Sequence, residues 1–313
     1  MKAANFVSMG PIWPGCFPAE SICFGLETWH LNPGRNVVGF LVAVPCKSAD
    51  IVSSDQDNMN SRVGDARVGG RILSSTRGKA SYVCRLAAGE AEIKAAQRLR
   101  FEVFNLELEE GLPESYRTGL DADQFDEVCD HLLVLEESSG EVVGTYRLQS
   151  GLRARECLGY YSAQEFDFSP LEPFRSEIIE LGRACIHQDH RNLRALGCLW
   201  RAIDVYAKNC GGRYLIGCSS LTSQDESVGA GAYEVLRKHL APEEFRVMPL
   251  DFCACSMEKL PEKPVRVPKL LGAYLSVGAK ICGPPAIDRT FKTIDYLTIL
   301  DITQLPSWVL ESL

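Results

Sequence analysis

Residues 176–220 read SEIIELGRACIHQDHRNLRALGCLWRAIDVYAKNCGGRYLIGCSS. The opening SEIIELGRACIH has the apolar, β-branched character of a strand. The polar run HQDHRNLRA then turns into a helix that places Leu196, Leu199, Trp200, Ile203 and Ala207 on one face. Gly211 and Gly212 cap that helix at its C-terminal end, and RYLIGCSS follows as a short buried strand. Strand, helix and strand in close succession indicate an α/β protein.

The flanking sequence extends this pattern. Upstream, Ile93, Ala96, Leu99, Val103 and Leu106 recur at spacings of three and four, which predicts an amphipathic helix over roughly residues 89–108 that stops near Gly111 and Pro113. HLLVLEE and EVVGTYRLQS are β-rich runs separated by Ser138, Ser139 and Gly140, a hairpin signal. Downstream, residues 228–240 read as a further helix and FKTIDYLTILDI as the best late strand. The order predicts an α/β sandwich, one mixed central sheet flanked by helices.

Residues 1–80 differ in character, being rich in Gly and Pro and ending in a polar stretch from Asp65 to Lys79. They read as an N-terminal extension or linker ahead of a domain at 81–313, with Met59 as an alternative start. The longest apolar run, Val37 to Val44, is about half of what a membrane helix needs. The chain has 313 residues and a net charge of -8, which argues against a general role on nucleic acid or anionic membranes. Its 13 cysteines include no C-x-x-C pair, so no metal site is expected, and their place inside apolar runs suits a reducing cytoplasm.

The chemistry-bearing residues cluster in order. Arg100 and Phe104 stand four apart on the first helix, and Asp121, Asp123 and Asp126 follow in LDADQFDEVCDHLLVL. Arg147 lies in GTYRLQS, and Glu180 and Arg183 in ELGRACIHQDHR. This set resembles the core pattern of acyl-homoserine-lactone synthases. The segments CDHLLVLEE, GEVVGTYRLQS, YYSAQEFDFSPL, ELGRACIHQDHR, RYLIGCSSL and LLGAYLSVGAKICGPPAIDRTF resemble, in the same order, the ornithine N-acyltransferases, a group also called hemolysin-like. That resemblance covers about residues 81–305.

The resemblance implies a GNAT-like fold and transfer of a fatty acyl group, with or without a 3-hydroxyl, from acyl carrier protein to the α-amine of an amino acid, with ornithine favoured. Other acceptors, as in N-acyl amino acid and signal synthases, and a non-catalytic acyl-binding protein remain as alternatives. No cofactor is expected beyond the donor's own phosphopantetheine. The place of action implied is the cytoplasm, with peripheral contact at the inner membrane through the lipid product.

Amine acylation requires the ammonium to lose a proton, and Glu180 is the candidate base. In an ideal strand Glu180 and Arg183 face opposite sides, so a β-bulge at Gly182 is expected to bring both to the cleft. Arg183 has a second reading as a structural ion pair with the acidic loop. The three aspartates suit a second positive charge on the acceptor, while Arg100 and Arg147 either order those acids or bind the acceptor carboxylate. Backbone N–H groups from Ala184 through Cys185 to Ile186 are expected to stabilise an oxyanion. The turn Arg191–Leu196 lacks the glycines of a pyrophosphate loop, which disfavours coenzyme A as donor. Six Lys or Arg residues from Arg183 to Arg213 stand against two acids, and Arg191, Arg194 and Arg201 are expected to meet an acidic carrier protein.

Overall fold

The computed structural model describes residues 70–78, 81–306 and 309. The expectations for residues 1–69, the apolar run at 37–44 among them, lie outside this range. In chain order the elements are β1 (Ile72–Ser75), β2 (Tyr82–Leu86), α1 (Glu90–Arg100), α2 (Ser115–Thr118), β3 (Asp130–Glu136) and β4 (Val142–Ser150). They continue with α3 (Gly151–Glu156), β5 (Ile178–Ile186), α4 (Leu193–Asn209), β6 (Tyr214–Leu221) and α5 (Glu226–Leu236). Last come α6 (Lys269–Ser276), β7 (Lys280–Ile281), β8 (Ala286–Asp288) and β9 (Thr293–Asp301). The strands form one mixed sheet in the order β1-β2-β3-β4-β5-β6-β9-β7, with β8 beside β9. β5 and β6 run parallel, joined through α4, and the other described pairs are antiparallel. Among the described residues no helix is long and apolar enough to cross a membrane.

The predicted mixed sheet flanked by helices is thus present, with one change at its start. β1 lies inside the stretch read as a linker and pairs with β2, so the sheet begins before residue 81. α1 opens with Glu90 and Glu92 and closes with Arg98 and Arg100, which match the helix dipole, and it runs on as a wider π-helical segment, Phe101–Glu107. α4 is capped at both ends by its own sequence. The Asn192 side chain accepts from the amides of Arg194 and Ala195 (both 3.1 Å). At the other end Gly211 takes φ 70°, and Gly212 N donates to Ala207 O (2.7 Å), a Schellman closure that needs the left-handed glycine.

Strand alternation assigns the two faces of the sheet. One face carries Leu132, Tyr146, Leu148, Ile179 and Leu215, which pack under α4. The other carries Arg147 and Gln149 on β4, Glu180 on β5, Ile216, Cys218 and Ser220 on β6, and Leu297 and Asp295 on β9. Two irregularities shape the centre. β5 and β6 pair at Ile178/Tyr214, Ile179/Leu215 and Glu180/Ile216 and then part, although both strands continue. Gly217 sits at the point of parting, where an added Cβ would lie 2.4 Å from the Leu181 carbonyl oxygen. The second irregularity is a bulge, because two steps on β4 (Thr145 to Arg147) face three on β5 (Cys185 to Gly182). The extra residue comes one position later than the sequence suggests, at Arg183, whose φ is 54°.

Candidate active site

A cavity of about 360 Å³ passes through the gap between β5 and β6. On the α4 side its wall is apolar, formed by Tyr146, Leu148, Leu181, Leu199, Trp200 and Tyr274. On the other side it is polar, with Arg147, Gln149, Glu180, Asp288, Thr293 and Asp295. The splay of the parallel strands therefore joins an oily arm to a charged one.

Glu180 stands on the polar side, 5% exposed, with Oε2 accepting from Tyr161 N (2.7 Å) and Oε1 from Ser162 N (2.8 Å). Burial raises its proton affinity above the ordinary carboxyl value, and these two amide bonds only partly offset that. A carboxylate held rigidly by two backbone donors, with its basicity raised, has the properties of a general base. The bulge has the effect expected of it, since Glu180 and Arg183 both line the cavity.

The acidic segment is where the structure departs from the reading of the sequence. Arg100 is fully buried and donates through Nε to Asp121 Oδ1 (2.9 Å), through Nη1 to Asp126 Oδ1 (3.0 Å) and through Nη2 to Asp126 Oδ2 (2.6 Å). Arg147 Nη1 reaches Asp123 Oδ1 (2.6 Å) and Asp126 Oδ1 (3.0 Å), and Arg183 Nη2 reaches Asp121 Oδ2 (2.5 Å). Three carboxylates thus face three guanidinium groups. Burial alone would raise the Asp126 carboxyl, but the hydrogen bonds from Arg100 and the charges of Arg100 and Arg147 outweigh it and hold it well below the usual range. Asp121, Asp123 and Asp126 are engaged by arginines and do not line the cavity, so they do not receive the acceptor's second charge.

The arginines divide their work. Arg100 orders the acids and stays outside the cavity, whereas Arg147 does so with Nη1 and, among the described residues, leaves Nη2 without a hydrogen-bond partner beside the cavity. Arg183 unites its two sequence readings, pairing with Asp121 while its guanidinium lies over the rings of Phe104 (5.2 Å) and Phe291 (4.2 Å). Phe104 is thereby a wall of the cavity and a support for Arg183. These contacts hold the left-handed backbone of Arg183, a conformation that costs a non-glycine residue roughly 1–3 kcal/mol.

The bulge also sorts the candidate oxyanion donors. His187 N donates to Val143 O (2.8 Å), so by the alternation of an antiparallel ladder the Cys185 amide turns to Thr145 on β4. The Ile186 amide points away from β4, as does its carbonyl, which accepts from Arg191 Nε (3.0 Å). Ala184, next to the bulge at Arg183, likewise has no register partner on β4. Ala184 and Ile186 remain as donors toward the gap and Cys185 is withdrawn. The Cys185 side chain packs with Leu99 and Val103, and burial pushes its thiol up to about 12, which removes it as a nucleophile.

The basic stretch is largely spent within the fold. Arg191 is paired with Glu107 through two bonds of 2.5 Å, Arg213 with Asp301 and Lys208 with Asp204. Arg201 is half-buried, with its guanidinium charge felt at Cys198, and Arg194 alone of the three candidate docking arginines is exposed. A shared surface of Arg191, Arg194 and Arg201 is not what the structure presents.

Four polar residues of the site carry no signal that the sequence motifs make visible. Gln149 is 2% exposed and paired in register with Glu180, and neither its Nε2 nor its Oε1 has a hydrogen-bond partner among the described residues. Glu165, Asp288 and Asp295 form an acidic group at the far end of the polar arm. The one available hint is a carboxylate inside an apolar β run, Asp295 within TIDYLTILD.

A profile of the acetyltransferase (GNAT) domain family matches residues 99–201. The L-ornithine N(alpha)-acyltransferase of Brucella abortus is 32% identical over 262 residues, 78% of this chain and 90% of that protein. The enzyme of the same name from Rhodobacter capsulatus is 34% identical over 233 residues, 71% of this chain and 90% of its own. The solved structure of FeeM, an N-acyl amino acid synthase from uncultured soil microbes, aligns over 74% of this chain and 93% of that one, at 13% identity and a TM-score of 0.44. With its mixed sheet, splayed central strands and relatives matched over most of their length, the chain belongs to the L-ornithine N(alpha)-acyltransferase family of GNAT-type acyltransferases.

Proposed function

We propose that the protein transfers a fatty acyl group from the phosphopantetheine thioester of acyl carrier protein to the α-amine of L-ornithine, giving an N-acylornithine. The observation that carries this reading is the two-sided cavity, apolar under α4 and polar around Glu180, with the gap between β5 and β6 joining the sides. The acyl chain lies in the apolar arm, and the thioester carbonyl reaches the gap. Glu180 takes a proton from the acceptor ammonium; the free amine then attacks the carbonyl, forming the C–N bond. The amides of Ala184 and Ile186 meet the oxyanion. The C–S bond breaks, and the proton that the attacking nitrogen loses in becoming an amide goes to the leaving carrier-protein thiolate. Arg147 Nη2 and the Gln149 side chain, at the cavity and unpartnered among the described residues, are suited to the acceptor's carboxylate.

The choice of donor rests on the start of α4. Helix N-termini bind pyrophosphate through free amides, but here Asn192 already occupies those of Arg194 and Ala195. A phosphopantetheine arm with a single phosphodiester needs less of such a cradle than coenzyme A. Of the basic residues proposed to meet the carrier protein, the exposed Arg194 is the one retained. On this reading the enzyme works in the cytoplasm and touches the inner membrane through its amphiphilic product. The test is turnover of the full chain with 3-hydroxyacyl carrier protein or the matched acyl-CoA and with ornithine, products read by mass spectrometry. N-Acylornithine formed mainly from the carrier-protein donor is expected. Absence of N-acylornithine overturns the reaction, and equal efficiency with both donors overturns the donor assignment.

A further inference from the structure

Ornithine carries two ammonium groups, and the three aspartates first suited to the second are taken by arginines. The cavity has another acidic end. Asp295 is 5% exposed and Glu165 7%, and oxygens of both lie within 4.8 Å of each other and of Cys218 Sγ. Among the described residues no well-aligned hydrogen bond reaches Asp295 Oδ1, Glu165 Oε2 or the hydroxyl of the buried Thr293, although Glu165, Thr293 and Ser220 stand near enough to Asp295 to influence its proton. Asp295, Thr293, Cys218 and Asp288 line the cavity that holds Glu180.

We propose that Asp295 and Glu165, with Asp288 beside them, bind the side-chain ammonium of a diamino acid acceptor and select it over a neutral amino acid of the same length. This rests on the acyl-transfer reading above and assigns the part of the site that chooses the acceptor. Two buried carboxyl groups this close cannot both ionise without a counter-charge. Burial and the charges of Asp295, Asp288 and Glu180 push Glu165 up in proton affinity; burial and Asp288 push Asp295 up too, against hydrogen bonds from Ser220, Thr293 and Glu165 that lower it in part. An ammonium ion supplies the missing charge and donors for the unpartnered oxygens. A metal ion fits less well, because burial holds the Cys218 thiol protonated and it donates to Ser162 Oγ (3.4 Å).

The span also fits. Cys218 lies two residues along β6 from Ile216, the register partner of Glu180, so about 7 Å along the strand and about 5 Å across it, or roughly 8 Å from Glu180, which side chains reaching into the cavity shorten. The two nitrogens of an extended ornithine are separated by five bonds, roughly 6 Å. An acceptor with its α-amine at Glu180 therefore brings its second amine to the acidic pair.

The experiment compares ornithine with norvaline, which has the same carbon chain and no side-chain amine, in the wild-type enzyme and in Asp295→Asn and Glu165→Gln. The wild type is expected to prefer ornithine in kcat/KM by roughly 30-fold or more, the scale of a buried charge contact. Each variant should lose most of that ratio through a raised KM for ornithine, with norvaline turnover equal or higher. Wild-type enzyme that acylates both equally, or a folded variant that keeps the wild-type ratio, overturns the assignment. Wild-type enzyme that acylates neither sinks the acyl-transfer reading and this one together. Should one variant fail to fold, the other variant and the wild-type comparison still decide between these outcomes.

Discussion

Replacing Arg100 by methionine removes the centre of the arginine–aspartate network while keeping much of the side-chain volume. Lost are the hydrogen bonds to Asp121 Oδ1 at 2.9 Å and to the two oxygens of Asp126 at 3.0 and 2.6 Å, together with a bond to the Asp121 carbonyl. Removing one partner of a buried ion pair costs about 3–5 kcal/mol. The lower end applies here, because Asp126 keeps Arg147 and Gln97 (both 3.0 Å) and Asp121 keeps Arg183. In a domain of this size about 3 kcal/mol corresponds to a fall in Tm of roughly 6–12 °C. Denaturant unfolding of the wild type, Arg100→Met, Asp126→Asn and the double variant separates the pair from its parts. If the loss comes from a stranded carboxylate, Asp126→Asn destabilises the wild type but costs at least about 1 kcal/mol less in the Arg100→Met background. An Arg100→Met protein within about 1 kcal/mol of the wild type, or strictly additive losses, would refute the reasoning.

Two further outcomes follow from the same geometry. The Asp126 carboxyl is depressed in the native state, so its contribution to stability is present above about pH 4, the unfolded value, and is lost as pH falls toward the native one; unfolding midpoints between pH 6 and pH 3 should fall less steeply in Arg100→Met, and equal slopes would argue against the pairing. Gly217→Ala would press a methyl against the Leu181 carbonyl, 2.4 Å from the new Cβ, and should cost roughly 1–3 kcal/mol and lower turnover by shifting the point where β5 and β6 part; a variant with unchanged melting and kinetics would show that the strands yield there freely.

Much of this fold could be read directly from periodicity. The helix expected over 89–108 is α1 with its π-helical continuation, and the hairpin around Ser138–Gly140 is β3 and β4. α4 and its glycine cap also stand where the 3–4 spacing put them. Short strands without a repeating pattern, β1, β7 and β8, were not legible, because two to four residues give no period to detect. The site was legible where chemistry sits on a strand of clear pattern, as with Glu180 and Arg183. It was misread at Asp121, Asp123 and Asp126, since spacing shows that carboxylates lie close but not which cations reach them first. Asp295 and Gln149 were hidden for the converse reason, as their roles depend on register across β6–β9 and β4–β5, which no single segment carries.

The central claim, proton removal from the amine by Glu180, is tested most directly by the pH dependence of kcat in wild type and Glu180→Gln, with melting curves to establish that the variant is folded. In the wild type kcat should rise with pH as the carboxyl ionises, with an acid limb above the ordinary carboxylate value of about 4.3. The variant should lose that limb and turn over roughly 100-fold more slowly or worse. A folded Glu180→Gln enzyme with near-normal turnover, or with the same acid limb, would contradict the account.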